Sequence, residues 1–128
     1  YIHRLAEHSV KKVEMISGVP SFCSAAARLG ISLGDGEEQI HIIPGSYGVE
    51  ETTALSGTRI YMKSGRELQH VKKELKEEAA CREKNGEELQ VYAVADCGLE
   101  NEMVMRGLEE WPEKLPYLTI VIVKVRKI

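Results

Sequence analysis

The scarce reactive side chains of this 128-residue chain are four histidines (His3, His8, His41, His70) and three cysteines (Cys23, Cys81, Cys97). Together they could ligate a metal or serve as redox nucleophiles. Structural zinc takes ligands in closely spaced pairs, and these residues offer none, so no metal site is expected. A reactive thiol needs a cation or a helix N-terminus to depress its pKa, and the sequence around Cys23 and Cys97 identifies neither. An odd set of cysteines without a CxxC argues against a disulfide framework and for a reducing compartment. The chain is read as cytoplasmic.

Two glycine-rich stretches, Gly34-Asp35-Gly36 and Gly45-Ser46-Tyr47-Gly48, lack the three spaced glycines of a dinucleotide loop between strand and helix and read as turns. Lys63-Ser64-Gly65-Arg66 is different, because it joins a strand directly to a helix. Free backbone N–H groups beside two cations suit an anion. A solvated strand–helix turn is the commoner reading of such a segment, and both stay open on chemistry alone.

These residues must be positioned by a folded frame. The alternation over residues 12–16 predicts a half-buried strand, after a helix face shared by Tyr1, Leu5 and His8. Pro20 suits the first turn of a helix over Ser21–Leu29 that Gly30 ends. Its dense alanines predict close packing on both sides. Residues 39–44 read as a strand stopped by Pro44, 49–55 as a short helix, and Thr58–Met62 as a β-branched and aromatic strand. Leu68, Val71, Leu75 and Ala79 recur at helical spacing, with Lys72, Lys73, Lys76, Glu77 and Glu78 expected to face outward. Residues 89–95 form a further strand, residues 102–108 an extended segment, and residues 117–125 a nearly continuous apolar strand of the kind covered on both faces. The fold class is therefore α/β, a mixed sheet of about five strands flanked by helices. Ligands of open α/β sheets sit beyond strand ends. Three such ends here, at residues 17–22, 61–65 and 95–98, carry small or soft side chains.

Composition narrows the function classes. Seventeen basic against twenty acidic residues give a net charge of -3, which argues against a nucleic-acid binder. One Trp, one Phe and five Tyr supply little for base stacking. The apolar run at residues 120–123 is far shorter than a membrane span, and the charged first fifteen residues do not read as a signal peptide.

Several motifs carry a resemblance. Gly18-Val19-Pro20-Ser21-Phe22, followed by Ala25-Ala26-Ala27-Arg28-Leu29-Gly30, resembles the start of the second domain of the tetrapyrrole methylases. The stretch TRIYMKSGR at residues 58–66, the Asp96-Cys97-Gly98-Leu99 turn and the strand from Tyr117 to Lys124 resemble one branch. That branch methylates C20 of precorrin-2 or cobalt-factor II in cobalamin biosynthesis. The resemblance implies a homodimeric two-domain enzyme that takes its methyl group from S-adenosylmethionine and delivers it to a tetrapyrrole substrate. It assigns cofactor contacts to Ser21, Phe22, Met62, Cys97 and Thr119. Residues 1–16 are then the tail of an N-terminal domain absent here, and residues 17–128 the C-terminal methylase domain, inactive alone as half of a site.

Lys63 and Arg66 stand as substrate-carboxylate contacts by their placement at a helix end. No catalytic residue is assigned. His41 and Tyr61 are within reach as bases, but surface and core roles fit them better. Two other readings stand beside this one: a dimerisation or partner-binding domain, and a sibling methylase acting at another ring carbon.

Overall fold

The computed structural model describes residues 4, 6–8, 12–45 and 48–128. His3, the helix face that rests on Tyr1 and Leu5, and the loop residues Ser46 and Tyr47 lie outside these.

The described chain runs α1 (Ser21–Leu29), β1 (Ile40–Pro44), α2 (Val49–Thr52), β2 (Thr58–Met62), α3 (Leu68–Lys84), β3 (Glu87–Ala95), β4 (Met103–Met105) and β5 (Thr119–Lys127). Short 3₁₀ turns occupy Gly65–Glu67 and Leu108–Glu110. The strands form one sheet in the order β1-β2-β5-β3-β4. β1 and β2 are parallel, and every other pairing is antiparallel. This is the mixed α/β sheet expected from the sequence.

β5 earns its central place by composition. Residues 119–123 are all buried, because alternate side chains enter opposite cores. Val121 and Val123 join Tyr61, Val71 and Leu75 beneath α3. Ile120 and Ile122 join Ala25, Ala26 and Leu29 beneath α1. Burying each large apolar side chain of this kind contributes about 1.5–3 kcal/mol, so both faces of the sheet hold their helices.

The structure corrects several expectations. Residues 12–16 form no strand, and nothing among the described residues pairs with them. Alternation alone does not make a strand without a neighbour for its backbone, and Met15 and Ile16 are left 78% and 90% exposed. α1 packs on one face only, for Ala25 and Ala26 are buried while Ala27 and Arg28 are exposed. The helix over 49–55 stops at Thr52.

Glu78 points inward instead of outward. Period-two alternation in β2 sends Arg59 to the same face as Tyr61, beneath α3, and Glu78 is the counter-ion that meets it. Both oxygens of Glu78 accept from Arg59 Nη2 at 2.8 Å, and Oε1 accepts from Arg82 Nε at 2.6 Å. Arg82 also donates to Glu87 at 2.7 Å and to the Thr53 carbonyl at 3.0 Å.

Candidate functional site

The topology brings five strand ends to one side of the sheet, the start of β4 opposite the end of β3 among them. β2 and β3 both run antiparallel to β5, and β1 runs parallel to β2. Hence β1, β2 and β3 finish, and β5 begins, on the same side. Two glycines let the loops converge there. A Cβ on Gly45 would collide with the Met62 carbonyl, and one on Gly65 with the Pro116 carbonyl. Only glycine permits so close a backbone approach.

A cavity of about 180 Å³ opens at this edge. Its apolar walls are Met62, Leu99, Leu118 and Ile120, and its polar points are Ser21, Lys63, Asp96 and Cys97. Among the described residues, Lys63 and Asp96 are the two non-glycine residues with positive φ, at 57° and 48°. A left-handed backbone is costly for a side chain and concentrates at functional positions. Both of these residues line one small cavity.

Beside it lies a wider trough of about 610 Å³ that shares Met62 and Lys63 and adds Ile42, Pro44, Gly45, Arg66, Glu67 and Tyr117. The Arg66 guanidinium stands 5.1 Å and the Lys63 ammonium 6.0 Å from the centre of the Tyr117 ring. The half-exposed ring is thus flanked by two cations at cation–π range.

Of the residues singled out in the sequence, Ser21, Met62, Lys63 and Cys97 share the small cavity, and Arg66 joins the adjoining trough. Phe22 packs against the core beneath α1, as Met62 and Cys97 also do. Thr119 is fully buried. Its hydroxyl donates to the Pro116 carbonyl at 2.6 Å, and its own carbonyl accepts from Ser64 N–H at 3.1 Å. It therefore fixes the Leu118–Ile120 wall from beneath and does not line the cavity.

The Lys63–Arg66 segment enters α3 through the Gly65–Glu67 3₁₀ turn, closed against Leu115 and Pro116. Its two cations face the Tyr117 ring. His41 bonds the Ser56 carbonyl at 2.8 Å, away from the cavity. Tyr61 is fully buried, and its hydroxyl sits 2.6 Å from Thr52 Oγ1. Burial pushes the phenol pKa up, although Arg59 pulls the other way. Neither residue faces the cavity.

The Cys97 thiol is pushed up in pKa first by burial and then by the charge and hydrogen bond of Glu102. A thiol raised in this way is a poor nucleophile at neutral pH. The sequence reading passed over Glu102, Leu118 and Tyr117. The one available signal was their position beside turns that close a strand end.

Among the described residues no three His, Cys, Asp or Glu side chains converge as a metal site, and no helix is long and apolar enough to cross a membrane.

Comparison with known proteins gives a consistent result. The family Tetrapyrrole (Corrin/Porphyrin) Methylases matches residues 1–111. Among curated proteins none matches significantly. Three solved structures share the fold. A cobalamin biosynthetic enzyme, cobalt precorrin-4 methyltransferase CbiF, has a TM-score of 0.68 at 13% identity, over 95% of this chain and 56% of that one. The methyltransferase CobJ has a TM-score of 0.61 at 16% identity, over 99% of this chain and 58% of that one. Uroporphyrin-III-C-methyltransferase from Thermus thermophilus has a TM-score of 0.65 at 20% identity, over 95% of this chain and 55% of that one. The chain thus spans a little over half the length of each, and at these identities the likeness is one of fold.

Proposed function

The chain belongs to the tetrapyrrole (corrin/porphyrin) methylase family, and we propose that it is the second domain of an S-adenosylmethionine-dependent enzyme that methylates C20 of precorrin-2 or cobalt-factor II in cobalamin biosynthesis. One observation carries the reading. The two strained non-glycine backbones, Lys63 and Asp96, flank one apolar cavity that Ser21, Met62 and Cys97 also line. The C20 position rests on the resemblance of residues 58–66, 96–99 and 117–124 alone.

The cavity suits part of an adenosyl donor. Its walls are apolar and adaptable, as Met62 allows, and its polar points are few, as small-molecule sites require. At about 180 Å³ it is smaller than the roughly 300 Å³ at which such sites begin. A second wall from the N-terminal domain, which the reading takes residues 1–16 to lead from, completes it.

When bound, S-adenosylmethionine supplies an electrophilic methyl on a sulfonium leaving group, so the protein needs no covalent nucleophile. The chain's own task is to orient the partners, since displacement in line calls for a separation of about 3–3.5 Å. Ser21, Met62 and Cys97 hold the donor, Phe22 and Thr119 set the walls, and Lys63 and Arg66 receive carboxylates of the macrocycle in the trough. No side chain is assigned as base.

Exposed Ile40 and Ile42 on the outer strand β1, with Met15, Ile16 and Val19 before α1, give the N-terminal domain and a second copy of the enzyme apolar surface to cover.

The test is S-adenosylhomocysteine titration into the full-length protein, with a mass and NMR assay of the methylated macrocycle. Micromolar-class binding that Met62→Ala weakens, together with methylation at C20, is expected. Absent binding overturns the donor reading. Methylation at another carbon makes the protein a sibling methylase. Binding untouched by Met62→Ala favours a partner-binding role for this domain.

A further inference from the structure

The outer wall of the cavity, the double turn over residues 96–102, is held by two side chains to which the methyl-transfer reading gives no task. Arg28, in the last turn of α1, forks onto Glu102. Its Nε donates to both carboxylate oxygens at 3.1 Å, and its Nη2 donates to Oε2 at 2.7 Å. Glu102 also accepts the Gly98 N–H at 3.2 Å. One carboxylate therefore gathers a helix end and the amide that follows the cavity residue Cys97.

Stability does not account for this arrangement. The Arg28 side chain is 60% exposed and that of Glu102 15%, so solvent reaches the pair and its contribution to folding is small. Geometry does. The helix that carries Arg28 also supplies Ser21 to the cavity, so the fork ties that helix to the 96–102 turn. A bidentate pair fixes orientation as well as distance.

We infer that Arg28 and Glu102 act as one positioning unit that holds the 96–102 wall, and Cys97 with it, at the spacing a bound adenosyl donor requires. Neither residue touches the ligand. The inference rests on the donor reading of the cavity. The charged groups around the thiol are Glu102 and Arg28 in the fork, with Asp96 and Lys63 on the same cavity.

In the full-length protein, Arg28→Ala and Glu102→Gln each weaken S-adenosylhomocysteine binding about tenfold, while the thermal midpoint stays within about 2 °C. Arg28→Lys restores only part of the loss, because an ammonium cannot fork. The double variant loses no more than either single one, as expected of residues acting together.

A second readout follows the wall itself. Iodoacetamide labelling of Cys97, resolved by peptide mass spectrometry across pH, shifts its midpoint to lower pH in Glu102→Gln, since the charge that raises the thiol is gone. Wild-type affinity in both single variants, or losses that add in the double, overturns the inference. Wild-type protein that binds no S-adenosylhomocysteine defeats the donor reading instead. In that case the labelling midpoint still reads the contact: an unmoved midpoint in Glu102→Gln shows that the carboxylate does not hold the Cys97 wall and overturns the fork as well.

Discussion

At one end of β2, Arg59 lies fully buried and is met by Glu78, which is itself held by Arg82. At the other end, three and four residues along, Met62 and Lys63 open onto a half-enclosed cavity with a strained backbone and apolar walls. The first end spends polar groups on one another. Arg59 Nη1 donates to the Thr52 carbonyl and to the Tyr61 hydroxyl, each at 3.1 Å. This ties α2, β2 and α3 into one frame. The second end leaves its groups facing space. A buried charge network tolerates no missing member, whereas a binding edge must keep surface unsatisfied until a ligand arrives.

The contrast predicts where substitutions hurt. The largest effect belongs to the charged end. Arg59→Ala or Glu78→Ala strands a buried charge and destabilises the fold by about 3–5 kcal/mol, read by urea denaturation. A loss below about 1 kcal/mol would mean that the network behaves as a surface pair and that the contrast is false.

Next comes Gly65→Ala, whose Cβ meets the backbone carbonyl of Pro116. It costs about 1–3 kcal/mol through forced displacement and weakens ligand binding as well, because the Leu118 wall moves with it. At Lys63 the sign reverses. Lys63→Gly relieves a left-handed backbone and raises stability by up to about 1 kcal/mol while lowering affinity for the macrocycle. A variant that lost both would place Lys63 in the frame instead of the cavity.

The smallest effect is on acid response. Arg28, and then the Gly98 N–H, hold the Glu102 carboxyl below its ordinary pKa. A depressed folded-state value means that the fork contributes fully above the ordinary carboxylate range and is lost as pH falls through the depressed value. Donor affinity measured against pH should therefore hold level down to that range and decline only below it. In Glu102→Gln this decline disappears.

The sheet was legible because its signals are local and repeated. The β-branched run of β5, Pro20 before α1, Gly30 after it and the spacing of Leu68, Val71 and Leu75 each name their element without help from the rest. The convergence of the loops at 62–63 and 96–97 was also within reach, since ligands of open sheets sit beyond strand ends, whereas Ser21 opens α1 with no strand before it. What escaped depends on partners far away in the chain. Glu78 reads as a surface residue until Arg59 is seen beneath it, and Arg28 finds Glu102 across 74 positions. Residues 12–16 show the converse error, an alternating pattern to which no strand comes.

The placement of β5 bears on how the domain is made. It is threaded between β2 and β3 yet follows both in the sequence. A growing polypeptide that has left the ribosome only as far as Leu118 has just the pairings of β1 with β2 and of β3 with β4 open to it, with no ladder between them. Synthesis must reach the last nine-residue strand before one sheet exists, so the cavity edge, where β5 begins, is among the last features of the domain to come into being.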